Sequence, residues 1–127
     1  MRALRLRYLW LFGGITLVAM VLYLTLSEPG GGSGFINDKV AHFSAFAILM
    51  TWFCGVFEAR TAIWVALALV VLGVGIELLQ AQLPYRSAEV ADGLYDFGGI
   101  AVGWLISVAG LNRWAVFIES VIGLKKA

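Results

Sequence analysis

Charge is what this 127-residue chain has least of: Asp, Glu, Lys and Arg together make up 13% of it, about half the share usual in a soluble domain. Cysteine occurs once, as Cys54, so no disulfide can form within the chain and a disulfide-stapled scaffold is excluded. The 9 Lys and Arg nearly balance the 8 Asp and Glu, for a net charge of +1. That leaves no basic excess to meet a polyanion, and no nucleic-acid partner is expected. What fills the chain instead is apolar, 61% of all residues with a mean hydropathy of +0.92. A domain of this size leaves too much surface exposed to hide that much apolar side chain from water. Disorder and a soluble Rossmann-type enzyme are excluded on the same ground, and lipid is the implied solvent.

A transmembrane helix needs about 20 mostly apolar residues, and the charged positions cut the chain into four such pieces. The first, 8–26, follows Arg2, Arg5 and Arg7 and is longer than the ~7–15 apolar residues of a cleavable signal. It reads as an uncleaved anchor. Pro29 and the run Gly30-Gly31-Gly32-Ser33-Gly34 then make a loop. Phe35-Ile36 follow it, where a phosphate-cradling loop would need Lys and Ser or Thr. The second span, 38–57, is capped by Asn37 or Asp38, and the tight Glu58-Ala59-Arg60 turn sets the third, 61–83, antiparallel beside it. Pro84 ends that span. The fourth, 87–111, starts from Ser87 as cap, and 112–124 carries Trp114, Phe117, Ile118, Val121 and Ile122 at the spacing of an interfacial amphipathic helix. The expected fold is an all-α, single-domain antiparallel bundle of four membrane helices with that interfacial helix at its end. With both termini cytoplasmic, Arg2, Arg5, Arg7, Arg60, Arg113, Lys125 and Lys126 lie inside, against Lys39 and Arg86 outside, a strong positive-inside bias. The tryptophans, Trp10, Trp52, Trp64, Trp104 and Trp114, read as interface anchors.

The polar residues are not scattered. Asp38, Lys39, His42, Glu77, Gln80, Arg86, Glu89, Asp92 and Asp96 all fall at the outer ends of the second, third and fourth spans, and the first contributes nothing. At about 100° per residue, Asp38 and His42 share one stripe, Gly73, Glu77 and Gln80 a second, and Glu89, Asp92, Asp96, Gly99 and Gly103 a third. The small residues one turn deeper allow close helix approach, so the stripes are expected to face each other, with Gly99 and Gly103 against the second or third helix. An ionised Asp at mid-span costs about 2.5–3.5 kcal/mol on insertion scales, so intramembrane acids point to function. His42 is expected to pair with Asp38 one turn away, and Arg86 to clamp the acids as an ion pair.

The order Asp38-Lys39-x-x-His42-Phe43, then Gly75-Ile76-Glu77-x-x-Gln80, then Arg86-x-x-Glu89-x-x-Asp92-x-x-x-Asp96-x-x-Gly99-x-x-x-Gly103 resembles the VanZ-like family of small bacterial membrane proteins over residues 35–107. Asp96 stands where that family frequently has Asn. The resemblance implies a four-helix inner-membrane protein; the family's namesake is linked to resistance against the lipoglycopeptide teicoplanin without a settled biochemical activity, which suggests action at the outer leaflet on envelope lipids or on drug access to lipid-linked precursors.

Three kinds of function fit these residues. A binding or remodelling protein would engage a membrane lipid headgroup, a lipid-linked envelope precursor or a lipoglycopeptide through the pocket Asp38, Lys39, His42, Glu77, Gln80, Arg86, Glu89, Asp92 and Asp96. A lipid hydrolase or transferase would use His42 as general base, oriented by Asp38, with Glu77 or Asp92 as acid or as ligand to a divalent cation. A flippase is a third reading, and four helices would then need a homo-oligomer to build a path. Asp38-x-x-x-His42 and Asp92-x-x-x-Asp96 are weak metal spacings beside paired-His motifs, and no cofactor or metal is called for.

Overall fold

In lipid a backbone must satisfy its own polar groups, so long apolar runs become helices. The computed structural model describes residues 1–28 and 38–124. Within them α1 spans Arg7–Leu26, α2 Asp38–Val56, α3 Ala62–Gln80 and α4 Val90–Val108, followed by a short α5 over Trp114–Val121. Turns of 3-10 helix at Ala59–Thr61 and Leu111–Arg113 lead into α3 and α5. There is no strand among the described residues, and this is an all-α membrane protein. Three helices, α1, α2 and α3 with its lead-in, are long and apolar enough to cross a membrane on their own. A fourth is counted when α4 is taken with its continuation, into which it bends by 80°. Gly110 sits at that bend with φ 153 and ψ −22, a conformation that a side chain would oppose. The loop Gly30 to Gly34, the cap residue Asn37, and Lys125 and Lys126 lie outside the described residues.

The fourth helix starts later than its sequence suggests. Glu89, not Ser87, occupies the cap position, with extended φ −121 and ψ 129, and the Asp92 N–H closes the first turn on the Glu89 carbonyl at 3.0 Å. The Glu89 backbone N–H donates to Glu77 Oε2 at 3.2 Å, so a side chain from α3 fixes where α4 begins. Counted from Val90, Asp96 lies about 9 Å along the helix, nearer the membrane surface than a start at Ser87 would put it.

The α2–α4 pair forms the most extensive helix contact. Gly99 and Gly103 make it possible: a Cβ at Gly99 would overlap the Phe43 carbonyl oxygen, and one at Gly103 would lie 2.6 Å from the Ala47 carbonyl oxygen and 2.9 Å from Met50 Cβ. Phe46, Leu49, Met50 and Ile76 fill the space between helices, each 1% exposed or less.

At the far end of the bundle from the acid-rich residues, α5 turns back under α1. Trp10, Trp52 and Trp114 stack there with ring centroids 4.7–6.2 Å apart, and Trp114 Nε1 donates to the Thr51 carbonyl at 3.1 Å. These three are therefore packed on one another, whereas Trp64 is exposed in the manner of an interface anchor. Their indole N–H groups find protein acceptors that lipid would not supply.

Candidate functional site

The N-terminal ends of α2 and α4 and the C-terminal end of α3 come together at one end of the bundle. His42 Nδ1 lies 2.8 Å from Asp96 Oδ1, with the two residues 5% and 3% exposed. The carboxylate that orients the ring thus comes from α4, and not from Asp38, which is exposed at the start of α2. Asp38 stands exposed at the rim in the first turn of α2, while the glycines of α4 bring Asp96 against the buried face of α2. Gly73 does the same from α3, where a Cβ would sit 2.9 Å from Asp96 Oδ2.

Around this pair the remaining residues divide by depth. Lys39 Nζ bridges Glu89 Oε2 at 3.0 Å and Asp92 Oδ1 at 3.8 Å near the surface. Below it, a cavity of about 120 Å³ is lined by Asp38, His42, Gln80, Tyr85, Arg86, Ser87, Glu89 and Asp92. A second cavity of about 120 Å³ is lined by Glu77 and Asp96 together with Gly73, Gly93 and apolar side chains of α3 and α4. Among the described residues, Glu77 Oε1, Gln80 Oε1, Asp92 Oδ1 and Asp96 Oδ2 are buried acceptors without a hydrogen-bond donor, Asp92 having only the Lys39 ammonium 3.8 Å away. An unmet buried acceptor is costly, and four in one place mark a site arranged to receive donors or positive charge.

Arg86 does not clamp the acids. Its Nε and Nη2 donate to the Ser27 carbonyl at 3.0 and 2.8 Å, and Nη2 also reaches the Leu24 carbonyl at 3.0 Å. Gln80 Nε2 donates to the Thr25 carbonyl and Tyr85 Oη to the Leu26 carbonyl, both at 2.8 Å. The last carbonyls of a helix have no partner within it and carry its partial negative charge, so they outcompete carboxylates already engaged with Lys39 and His42. The first helix, apolar in sequence, thus enters the site through its main chain. Arg86→Lys should lower the thermal unfolding midpoint in detergent by an amount corresponding to about 1–2 kcal/mol, since one ammonium cannot span the Leu24 and Ser27 carbonyls as the guanidinium fork does. An unchanged midpoint would mean that water serves those carbonyls equally well.

One buried acid went unmarked in the sequence. Glu119 of α5, 5% exposed, accepts from the Arg5 N–H at 2.9 Å through Oε2, and from the Leu6 N–H at 2.9 Å and Trp10 Nε1 at 2.8 Å through Oε1. It ties the chain entering α1, and Trp10 in its first turn, to α5. The available signal was an acid four residues from Ala115 on the face of α5 opposite Phe117 and Val121.

A bundle of helices long and apolar enough to cross a membrane, closed at one end by a buried carboxylate–histidine cluster, defines a small helical membrane protein with a buried polar site. A family model described as VanZ/LLP1 matches residues 6–112, and the chain belongs to that family. No curated protein and no solved structure matches it.

Proposed function

We propose that the protein lies in the bacterial cytoplasmic membrane with both termini inside, and that its acid–His site, at the outer face, binds or remodels an envelope lipid, a lipid-linked precursor or a lipoglycopeptide. The observation that carries this reading is the set of donorless acceptors, Glu77 Oε1, Gln80 Oε1, Asp92 Oδ1 and Asp96 Oδ2, beside two small cavities. They suit the ammonium and hydroxyl donors of such ligands. Orientation is supported by Arg2, Arg5, Arg60 and Arg113, which lie at or beside the tryptophan end of the bundle, whereas Lys39 and Arg86 lie at the site end. A second reading, lipid hydrolysis or transfer with His42 as base, is favoured by the Asp96 carboxylate, which would set the ring's tautomer and orientation. Membership in the VanZ/LLP1 family supports an envelope role and a link to glycopeptide resistance.

The test uses substitutions that retain shape: His42→Gln, Glu77→Gln and Asp92→Asn, each measured for glycopeptide susceptibility and lipid turnover beside the level of folded protein. Each lost charged hydrogen bond should weaken ligand engagement by about tenfold or more, so the phenotype falls while folded protein persists. Three folded and fully active variants would make the site structural and end this reading.

A further inference from the structure

We propose that His42, Glu77 and Asp96 form a binding site for one divalent transition-metal ion. One ligand atom from each of the three residues lies within 4.8 Å of the others. Bonds of about 2.0–2.2 Å to nitrogen and oxygen put ligand pairs roughly 3–3.6 Å apart, so the set closes on an ion with about an ångström of side-chain movement. Glu77 can supply most of it. It is half-buried, and its Oε1 has no hydrogen-bond donor.

Two independent features set this apart from a chance grouping of acids. Asp96 is 3% exposed, yet its Oδ2 is donorless and tucked against α3 at Gly73. An oxygen held that way is open to a cation, and an ion taken at His42 Nδ1 would replace the proton that Nδ1 and Asp96 Oδ1 now share. Charge gives the second argument. Lys39 is committed to Glu89 and Asp92, and Arg86 to the carbonyls of α1, so neither neutralises Glu77, and Asp96 has the imidazole of His42 alone. One divalent ion balances two carboxylates, and burying them so paired removes the cost that leaves isolated acids rare in membranes. A single imidazole with two carboxylates suits Mn²⁺, Fe²⁺ or Zn²⁺ better than Ca²⁺, which takes 6–8 oxygens. Three protein ligands leave a coordination position open for an outside oxygen. If the lipid reading holds, that position would admit an anionic headgroup phosphate which the bare acidic site would repel.

The measurement uses the full chain, purified in detergent with a non-histidine tag, stripped with chelator and titrated with MnCl₂ or ZnCl₂. Binding is read by calorimetry, by Mn²⁺ paramagnetic resonance and as a thermal shift. About one ion per chain is expected, with a raised unfolding midpoint. His42→Gln, Glu77→Gln and Asp96→Asn should each weaken binding by about tenfold or more, while Glu58→Gln, at the opposite end, leaves it unchanged. Asp96→Asn disturbs a packed position, so Glu77→Gln, beside a cavity, is the decisive variant. Folded wild-type protein that takes up no stoichiometric ion, or a Glu77→Gln protein that binds as tightly as wild type, overturns the metal site. Because no lipid or phenotype enters the assay, that result leaves the lipid reading untouched, and a bound ion alone does not establish it.

Discussion

Gly99→Leu should abolish accumulation of folded protein, and even Gly99→Ala should lower stability by about 2–3 kcal/mol or more. Overpacking typically costs 1–3 kcal/mol when side chains can rotate away. Here the obstruction is main chain. A Cβ at Gly99 would overlap the Phe43 carbonyl oxygen and lie 3.1 Å from the Ala47 nitrogen, and neither atom can move without shifting α2 as a body. Such a shift reaches the site at once, because Phe43 adjoins His42 and Asp96 lies one turn before Gly99. The control is Gly75→Ala, where a Cβ meets nothing within 4 Å and loss of backbone freedom in the unfolded chain should stabilise by about 0.5–1 kcal/mol. Folded yield and thermal unfolding in detergent report both. A Gly99→Leu protein that accumulates and melts like wild type would show that α2 and α4 are not in the described contact.

Glu119→Ala should cost about 3 kcal/mol or more. Its carboxylate receives the Arg5 and Leu6 N–H groups and Trp10 Nε1, and each buried donor left unmet costs roughly 1–3 kcal/mol. Glu119→Gln tests the mechanism more sharply. With the amide oxygen in place of Oε1, the Leu6 and Trp10 bonds survive, but the amide nitrogen then faces the Arg5 N–H, donor against donor. The expected loss is intermediate, about 1–2 kcal/mol, with a change in tryptophan fluorescence as the Trp10, Trp52 and Trp114 stack loosens. Equal stability of the Ala and Gln variants would mean that packing, not hydrogen bonding, is what Glu119 supplies.

The helices were legible because lipid leaves a backbone few choices, and the apolar runs are long and separated by charge, Gly or Pro. The gathering of Asp38, His42, Glu77, Gln80, Glu89, Asp92 and Asp96 at one end was also legible, since helical spacing sets which residues share a stripe and alternating direction sets their depth. Partner choice was not. Whether His42 meets Asp38 or Asp96 depends on how far α2 and α4 are rotated and how closely they approach, and that follows from Gly73, Gly99 and Gly103 acting together. The partners of Arg86 are invisible in the sequence, which displays carboxylates but hides the unmatched carbonyls at a helix end. Glu119 was passed over for a related reason: its partners are two main-chain N–H groups and an indole more than a hundred residues away.

The manner in which α1 is held has an evolutionary consequence. Its C-terminal end is gripped through main-chain carbonyls by Gln80, Tyr85 and Arg86, while at its other end Glu119 holds the Arg5 and Leu6 N–H groups just before it and the Trp10 indole within it. A main-chain grip is indifferent to side-chain identity. Apart from Trp10, Gly13, Gly14 and Val21, this helix can therefore diverge among apolar residues without loosening the bundle, so selection should be read in the residues that do the gripping.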